Sequence, residues 1–203
     1  MIIDLSLRLN NETPAYPGDP KIEIKQSNAF SEQGYQDHSI FMGTHTGTHI
    51  DAPAHMLEGG KTLDKFPAEQ FVGRGVYILA TDNEFRLEDV QKADIRPGDI
   101  VLFNTHMSYR LHNPAYFTDY PAMSVEIAEY LVEREVKMVG VDTCSIDNLE
   151  GFPVHKILLG KDILIIENLT NLEQLADMQS IIYALPLKTD LDGAPARVIA
   201  EIR

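Results

Sequence analysis

The stretch His45-Thr46-Gly47-Thr48-His49-Ile50-Asp51-Ala52-Pro53-Ala54-His55 gathers three of the chain's seven histidines and an aspartate within eleven residues. Two imidazoles and a carboxylate are a common donor set for a catalytic divalent metal, because three protein ligands leave room for a water that the metal can acidify. Every candidate donor has an odd number. Alternate residues of an extended chain share a face, so His45, His49 and Asp51 are expected to project to one side, with His55 following after Pro53. A helix fits less well. Gly43, Gly47 and the threonines are poor helix formers and Pro53 breaks a helix, although His45 and His49 do have the i, i+4 spacing of helical zinc sites. Gly47 is expected to let the backbone pass close to a metal or ligand, and Thr44 and Thr48 to hydrogen-bond the ligands.

Such a cluster needs a frame to hold it. The chain has 203 residues, 44% of them hydrophobic, which suits one domain over residues 1–203 that buries roughly 70% of its unfolded surface. Apolar or alternating β-rich stretches recur at Ile2 to Leu7, Val76 to Ala80, Ile100 to Asn104, Met138 to Val141, Ile163 to Ile166, Ile181 to Leu187 and Val198 to Ile202. Ser124 to Glu135 carries apolar residues on one helical stripe, with Ser124 placed as the cap, and Leu87 to Lys92 and Leu172 to Asp177 are shorter helical candidates. Many strands and few helices predict a strand-rich α+β fold.

Composition narrows the function. Seventeen basic against 31 acidic side chains give a net charge of −14, which argues against binding a phosphate backbone and excludes a nucleic-acid partner from the expectation. Cys144 is the sole cysteine, so neither an internal disulfide nor a cysteine-based zinc site can form, and a reducing cytoplasm is the expected compartment. Met1-Ile2-Ile3-Asp4-Leu5 lacks the marks of a signal peptide and the best apolar run, Ile163 to Ile166, is too short to span a bilayer, so no membrane association is expected.

The segment from His45 to His55 is similar to the HxGTHxDxPxH signature of the cyclase, or kynurenine formamidase-like, family of metal-dependent hydrolases. The resemblance extends to Tyr16-Pro17-Gly18-Asp19-Pro20, Val139-Gly140-Val141-Asp142-Thr143 and Gly193-Ala194-Pro195-Ala196-Arg197. It implies a fold of the swivelling β/β/α kind, a homodimer or larger homo-oligomer, and a site for zinc or manganese. In the formamidase members the positions of His45, His49 and Asp51 hold one ion, and Asp51 bridges to a second held by a His and a Glu twelve residues apart, a spacing matched here by His155 and Glu167. His55 falls at the proton-transfer position. Read on their own residues, His155 is a loop histidine and Glu167 a carboxylate closing the strand Ile163 to Ile166. Tyr16 falls in a turn by composition. The resemblance makes it a substrate contact where kynurenine formamidases carry a tryptophan, and this chain has no Trp.

The expected activity is that of an arylformamidase-like amidohydrolase of the kind used in tryptophan catabolism. A metal-activated water would attack a small amide, foremost an N-formyl aryl amine, and His55 would shuttle the proton. The nearest alternative is a lactam hydrolase similar to isatin hydrolases, with one manganese at His45, His49 and Asp51. A non-catalytic metal-binding or small-molecule-binding protein is the third reading, against which His55 speaks, since a structural site needs no spare base. Cys144 is expected to be a buried inert thiol, Asp142 and Asp147 turn caps, and His38, His106 and His112 surface or hydrogen-bonding residues.

Overall fold

The computed structural model describes residues 1–80 and 84–203. In chain order their strands and α-helices are β1 (Ile2–Asp4), β2 (Glu23–Asn28), α1 (Phe30–Gln33), β3 (Asp37–Phe41), β4 (His49–Asp51), β5 (Val72–Leu79), α2 (Leu87–Lys92), β6 (Ile100–Asn104), α3 (Val125–Glu133), β7 (Met138–Val141), α4 (Pro153–Leu159), β8 (Leu164–Glu167), β9 (Ser180–Pro186) and β10 (Gly193–Ile202). Seven strands in the order β10-β4-β8-β7-β6-β5-β9 close on themselves, because β9 also pairs with β10. β1 adds an eighth strand on β10, and β2 and β3 form a separate hairpin. β5 to β8 run parallel and the remaining pairings are antiparallel.

Burial explains which elements the sequence announces. β6, β7 and β8 are covered on both faces, as parallel strands usually are, and so appear as unbroken apolar runs. Alternation along β6 sends Ile100 and Leu102 into the core inside the ring, with Met138, Ile166 and Ile182, and sends Val101 and Phe103 to the outer face. There Val139, Val141 and Ile165 pack under Val90 of α2, Ile127 and Leu131 of α3, and Leu158 of α4. The helix expected over 124–135 spans Val125–Glu133, and the Ser124 hydroxyl accepts from the Ile127 N–H at its start. Among the described residues no helix is long and apolar enough to cross a membrane.

Several elements differ from the expectation. The strand expected to begin at Val76 begins at Val72, the one expected at Val198 begins at Gly193, and Leu172 to Asp177 is a single 3-10 turn, Leu172–Leu175. The β2–β3 hairpin is largely exposed and rich in polar residues, so it lacks the apolar alternation that marks a half-buried strand. β4 has three residues between Gly47 and Pro53, too few to show a period. α4 begins with Pro153 at its first position, a start signal that the preceding Gly151-Phe152 disguises as a turn.

The outer-face core predicts unequal costs within α3. Leu131→Ala deletes a fully buried side chain and should lower unfolding stability by about 2–5 kcal/mol. Ser124→Ala removes only the cap and should cost about 1 kcal/mol. Urea denaturation of both variants measures the difference, and equal losses would contradict this division.

Candidate metal centre

β4 lies between β10 and β8, and its register builds the site. His49 pairs with Glu167 of β8, while Asp51 lies opposite Gly193 of β10. Ile50 joins the core inside the ring, so His49 and Asp51 face outward, toward α4. Asp51 is the hub. Its Oδ1 is 2.7 Å from His45 Nδ1 and 3.3 Å from His49 Nε2, and its Oδ2 is 3.8 Å from His155 Nε2. Glu167 completes the ring, with Oε2 3.5 Å from His49 Nε2 and Oε1 3.2 Å from His155 Nε2 while also accepting from the Ile146 N–H. His49, Asp51, His155 and Glu167 are all buried, and His45 is half-buried. Donor atoms of His49, Asp51 and Glu167 lie within 4.8 Å of one another, as do those of His45, Asp51 and His55, and either set could hold a metal ion.

Several local expectations need correction. His45 does not share a strand face with His49 and Asp51. Residues 44–48 turn before β4 begins, and His45 reaches Asp51 from that turn. Its glycine, Gly47, has φ +65° and lines the cleft over the cluster, and a Cβ there would stand 2.5 Å from Leu9 Cδ2. Thr48 does not support the cluster either. Its hydroxyl accepts from the Leu7 N–H and donates to the Asn168 carbonyl, which ties the start of β4 to neighbouring segments, and Thr44 makes no hydrogen bond to the cluster among the described residues. His155, expected in a loop, projects from α4.

His49 and His45 are also held from behind, while His155 faces a carboxylate beyond hydrogen-bond reach. His49 Nδ1 donates to the Gly47 carbonyl at 2.8 Å, His45 Nε2 lies 2.9 Å from Asp192 Oδ2, and His155 Nδ1 is 3.7 Å from Asp147 Oδ2. The opposite nitrogens therefore face Asp51 and Glu167. Asp147 does cap, accepting from the Leu149 and Val154 N–H groups, and the same carboxylate backs His155. Asp142 instead accepts from the Thr105 N–H and hydroxyl, which ties the end of β7 to the end of β6 rather than capping the turn that follows it. Asp192 was invisible in the sequence except as the residue before Gly193-Ala194-Pro195. His38, His106 and His112 are exposed, outside the cluster.

The charges reinforce one another. Burial works against a charged His45, but the Asp51 and Asp192 carboxylates overcome it and push the ring up to about 9. His155 likewise rises against burial to about 10 through Asp147, Glu167 and Asp51. His49 is raised by Asp51 and Glu167 against its burial, and Asp51, although burial opposes it, is held well below the carboxylate range by His45 and His49. His55 moves the other way. Burial, aided by His45, lowers it despite Asp51, favouring the neutral ring.

A cleft of about 300 Å³ opens over the cluster, walled by Tyr16, Phe117, Met56, Cys144 and Phe152. Tyr16 meets Phe117 edge-on at 5.9 Å, and Phe152 meets His155 edge-on at the same distance. Phe152 is 41% exposed, and its backbone sits at φ +52°, a conformation that costs a bulky residue about 1–3 kcal/mol.

Residues 3–148 match the family described as Putative cyclase. An uncharacterised protein of Methanocaldococcus jannaschii is 34% identical over 98% of both chains, and the kynurenine formamidase of Bacillus cytotoxicus is 32% identical over 97% of this chain and 95% of its own length. Among solved structures, isatin hydrolase A from Ralstonia solanacearum superposes with a TM-score of 0.86 at 28% identity, covering 98% of this chain and 91% of that one. A potential metal-dependent hydrolase with cyclase activity superposes at 0.81 with 32% identity, covering 98% and 96%.

Cys144, at the cleft wall, tests the electrostatics of this region. Burial pushes its thiol up to about 12, so the reactive thiolate is scarce. Native protein at pH 8 should react with iodoacetamide at least about 100-fold more slowly than a free thiol of ordinary pKa near 8.5, and denaturant should restore the rate. Alkylation of the folded protein at the free-thiol rate would contradict the burial.

Proposed function

Because the chain belongs to the putative cyclase family, we propose that the buried cluster holds a divalent metal and that the protein is an amidohydrolase cleaving a carbon–nitrogen bond other than a peptide bond in a small molecule. One observation carries this reading. His49 Nε2 and Asp51 Oδ2, which face each other's carboxylate and imidazole partners at the centre of the site, are buried with no hydrogen-bond partner among the described residues, as is His155 Nδ1 at its edge. Buried atoms left this way cost about 1–3 kcal/mol each, and a cation at the centre would satisfy the first two. Nitrogen and carboxylate donors suit zinc or manganese. In this reading, which follows the family resemblance, His45, His49 and Asp51 would hold one ion and Asp51, His155 and Glu167 a second, although by donor distance His49 groups with Asp51 and Glu167. Such an ion supplies Lewis acidity, lowering the pKa of a water and polarising a carbonyl oxygen.

The remaining steps belong to the chain. Tyr16, Phe117 and Phe152 present aromatic edges and faces to a planar ring, and the Tyr16 hydroxyl adds a polar handle that a tryptophan would place differently. Water adds to the amide carbonyl carbon, the carbon–nitrogen bond breaks, and the nitrogen departs with a proton. His55, neutral and with Nδ1 turned to Asp192, takes the water's proton at Nε2 and passes it to that nitrogen. The substrate is an N-formyl aryl amine, giving formate and the free amine. The likeness to isatin hydrolase A favours a cyclic aryl amide as the second reading, in which one ion serves. The reading includes a cytoplasmic enzyme, in keeping with its free thiol, and a homo-oligomer, for which Ile40 and Phe41 on the exposed hairpin offer apolar surface.

Metal analysis of purified protein, followed by turnover of formanilides against lactams with zinc or manganese, tests the proposal. Asp51→Ala should lose metal and turnover together, and full retention of both would sink it. His55→Ala should keep its metal while turnover falls about 10²–10⁴-fold. His55 lies within donor range of His45 and Asp51, so loss of metal from that variant would make it a ligand instead. Tyr16→Ala and Phe152→Ala should raise KM for aryl formamides relative to alkyl formamides without altering metal content, and an equal change for both classes would remove these rings from substrate binding.

A further inference from the structure

Asp192 enters the reading above only as the neighbour of His55 Nδ1, yet the same carboxylate touches two of its histidines. We propose that Asp192 is a positioning residue whose carboxylate fixes the rings of His45 and His55 at once, turning His45 Nδ1 inward to Asp51 and leaving His55 Nε2 free to carry a proton. The proposal rests on the reading of the cluster as a metal centre.

A single oxygen does the bridging. Asp192 Oδ2 is 2.9 Å from His45 Nε2 and 3.4 Å from His55 Nδ1, and the two rings lie against each other with centroids 3.9 Å apart and a tilt of 34°. A ring with one nitrogen tied cannot flip without breaking that bond, so the shared acceptor sets the orientation of both imidazoles together. A carboxylate accepting the outer N–H of a ligand imidazole also makes the inner nitrogen a better donor.

The backbone delivers this carboxylate by the same pairing that builds the site. The Ala52 N–H donates to the Asp192 carbonyl at 2.8 Å, one step beyond the Asp51–Gly193 pair of β4 and β10. The approach to Asp192 is tied as well, with the Leu63 N–H on the Leu191 carbonyl and the Asp64 N–H on the Thr189 carbonyl. Gly193 supplies the space. A Cβ there would stand 2.7 Å from His45 Cε1 and 3.1 Å from its Nε2, so the ring packs directly on the first residue of β10. Asp192 and Gly193 thus form one clamp, in which the glycine admits the imidazole and the aspartate accepts its Nε2–H.

The test uses zinc and the full chain. In competition with a chromophoric chelator, Asp192→Ala should bind zinc about 10–100-fold more weakly than wild type. Asp192→Asn keeps an oxygen for His45 Nε2–H and should stay within about threefold, a rescue that loss of bulk alone does not predict. Circular dichroism of the metal-free variants checks the fold. Zinc affinity of Asp192→Ala within threefold of wild type, or folded Asp192→Asn as weak as Asp192→Ala, would overturn the role. Imidazole ¹H–¹⁵N spectra of metal-free protein read the contact itself. A slowly exchanging His45 Nε2–H in wild type that is lost in Asp192→Ala supports the proposal, even if wild type takes up neither zinc nor manganese and the metal reading falls. The same proton present in both proteins overturns it.

Discussion

The arrangement of the candidate site depends on the register of one three-residue strand. β4 is held on both edges, and because side chains alternate faces, a slip of one residue would drive His49 and Asp51 into the apolar core and turn Ile50 out. Ile50 and Ala52 resist that slip from one face, being fully buried in the core inside the ring. Thr48 resists it from the end, where its hydroxyl bonds residues of two other segments. With the register set, His49 must meet Glu167, Asp51 must meet the His45 turn, and the residue before Gly193 must lie beside Ala52. Three chemical groups far apart in sequence become neighbours through one pairing pattern.

Holding those groups out of water is costly, since an effective penalty of several kcal/mol falls on each buried ion. The cluster meets this by pairing every carboxylate with imidazoles: Asp51 with His45, His49 and His155, Glu167 with His49 and His155, Asp147 with His155, and Asp192 with His45 and His55. Histidine differs from the other cationic partners in one respect. Lysine and arginine would hold their charge in the site, whereas an imidazole can release its proton and present a lone pair in the same place. The neighbouring carboxylates raise His45 and His155, and the imidazoles lower Asp51, so the charges of the cluster support one another. Asp147 and Glu167 are further steadied by backbone N–H groups, so their orientation does not depend on which cation is present.

The sequence disclosed the parts of this molecule whose local pattern matches their environment. β6 and β7 have the bounds their apolar runs predict, and α3 starts at its serine cap, because burial on both faces and helical amphipathicity leave a periodic trace. The carboxylates and imidazoles of the central cluster were visible as residue types, and spacing correctly paired His49 with Asp51 on one face. His45 was misplaced because alternation does not extend through a turn that a left-handed glycine creates. α4 was missed because its proline start resembles a loop, and with it the setting of His155. Asp192 left no signal, since nothing in Lys188 to Gly193 encodes that β10 will lie against β4 or that its leading carboxylate will face His45.

Floor and wall of the cleft are built by different kinds of structure. The floor comes from β4, β8 and α4, whose positions are fixed by pairing and by cores on both faces of the sheet. The aromatic wall comes from segments between them: Tyr16 precedes β2, Phe117 lies between β6 and α3, and Phe152 precedes α4 in a strained conformation. Loops can change residues without disturbing the pairing that holds the floor. Relatives bearing the names kynurenine formamidase and isatin hydrolase share this chain's length and frame at 28–32% identity, as expected if different rings are recognised above a common centre. The buried donors of the floor thus follow from the register of β4, whereas the three aromatic residues of the wall lie on segments that this register does not control.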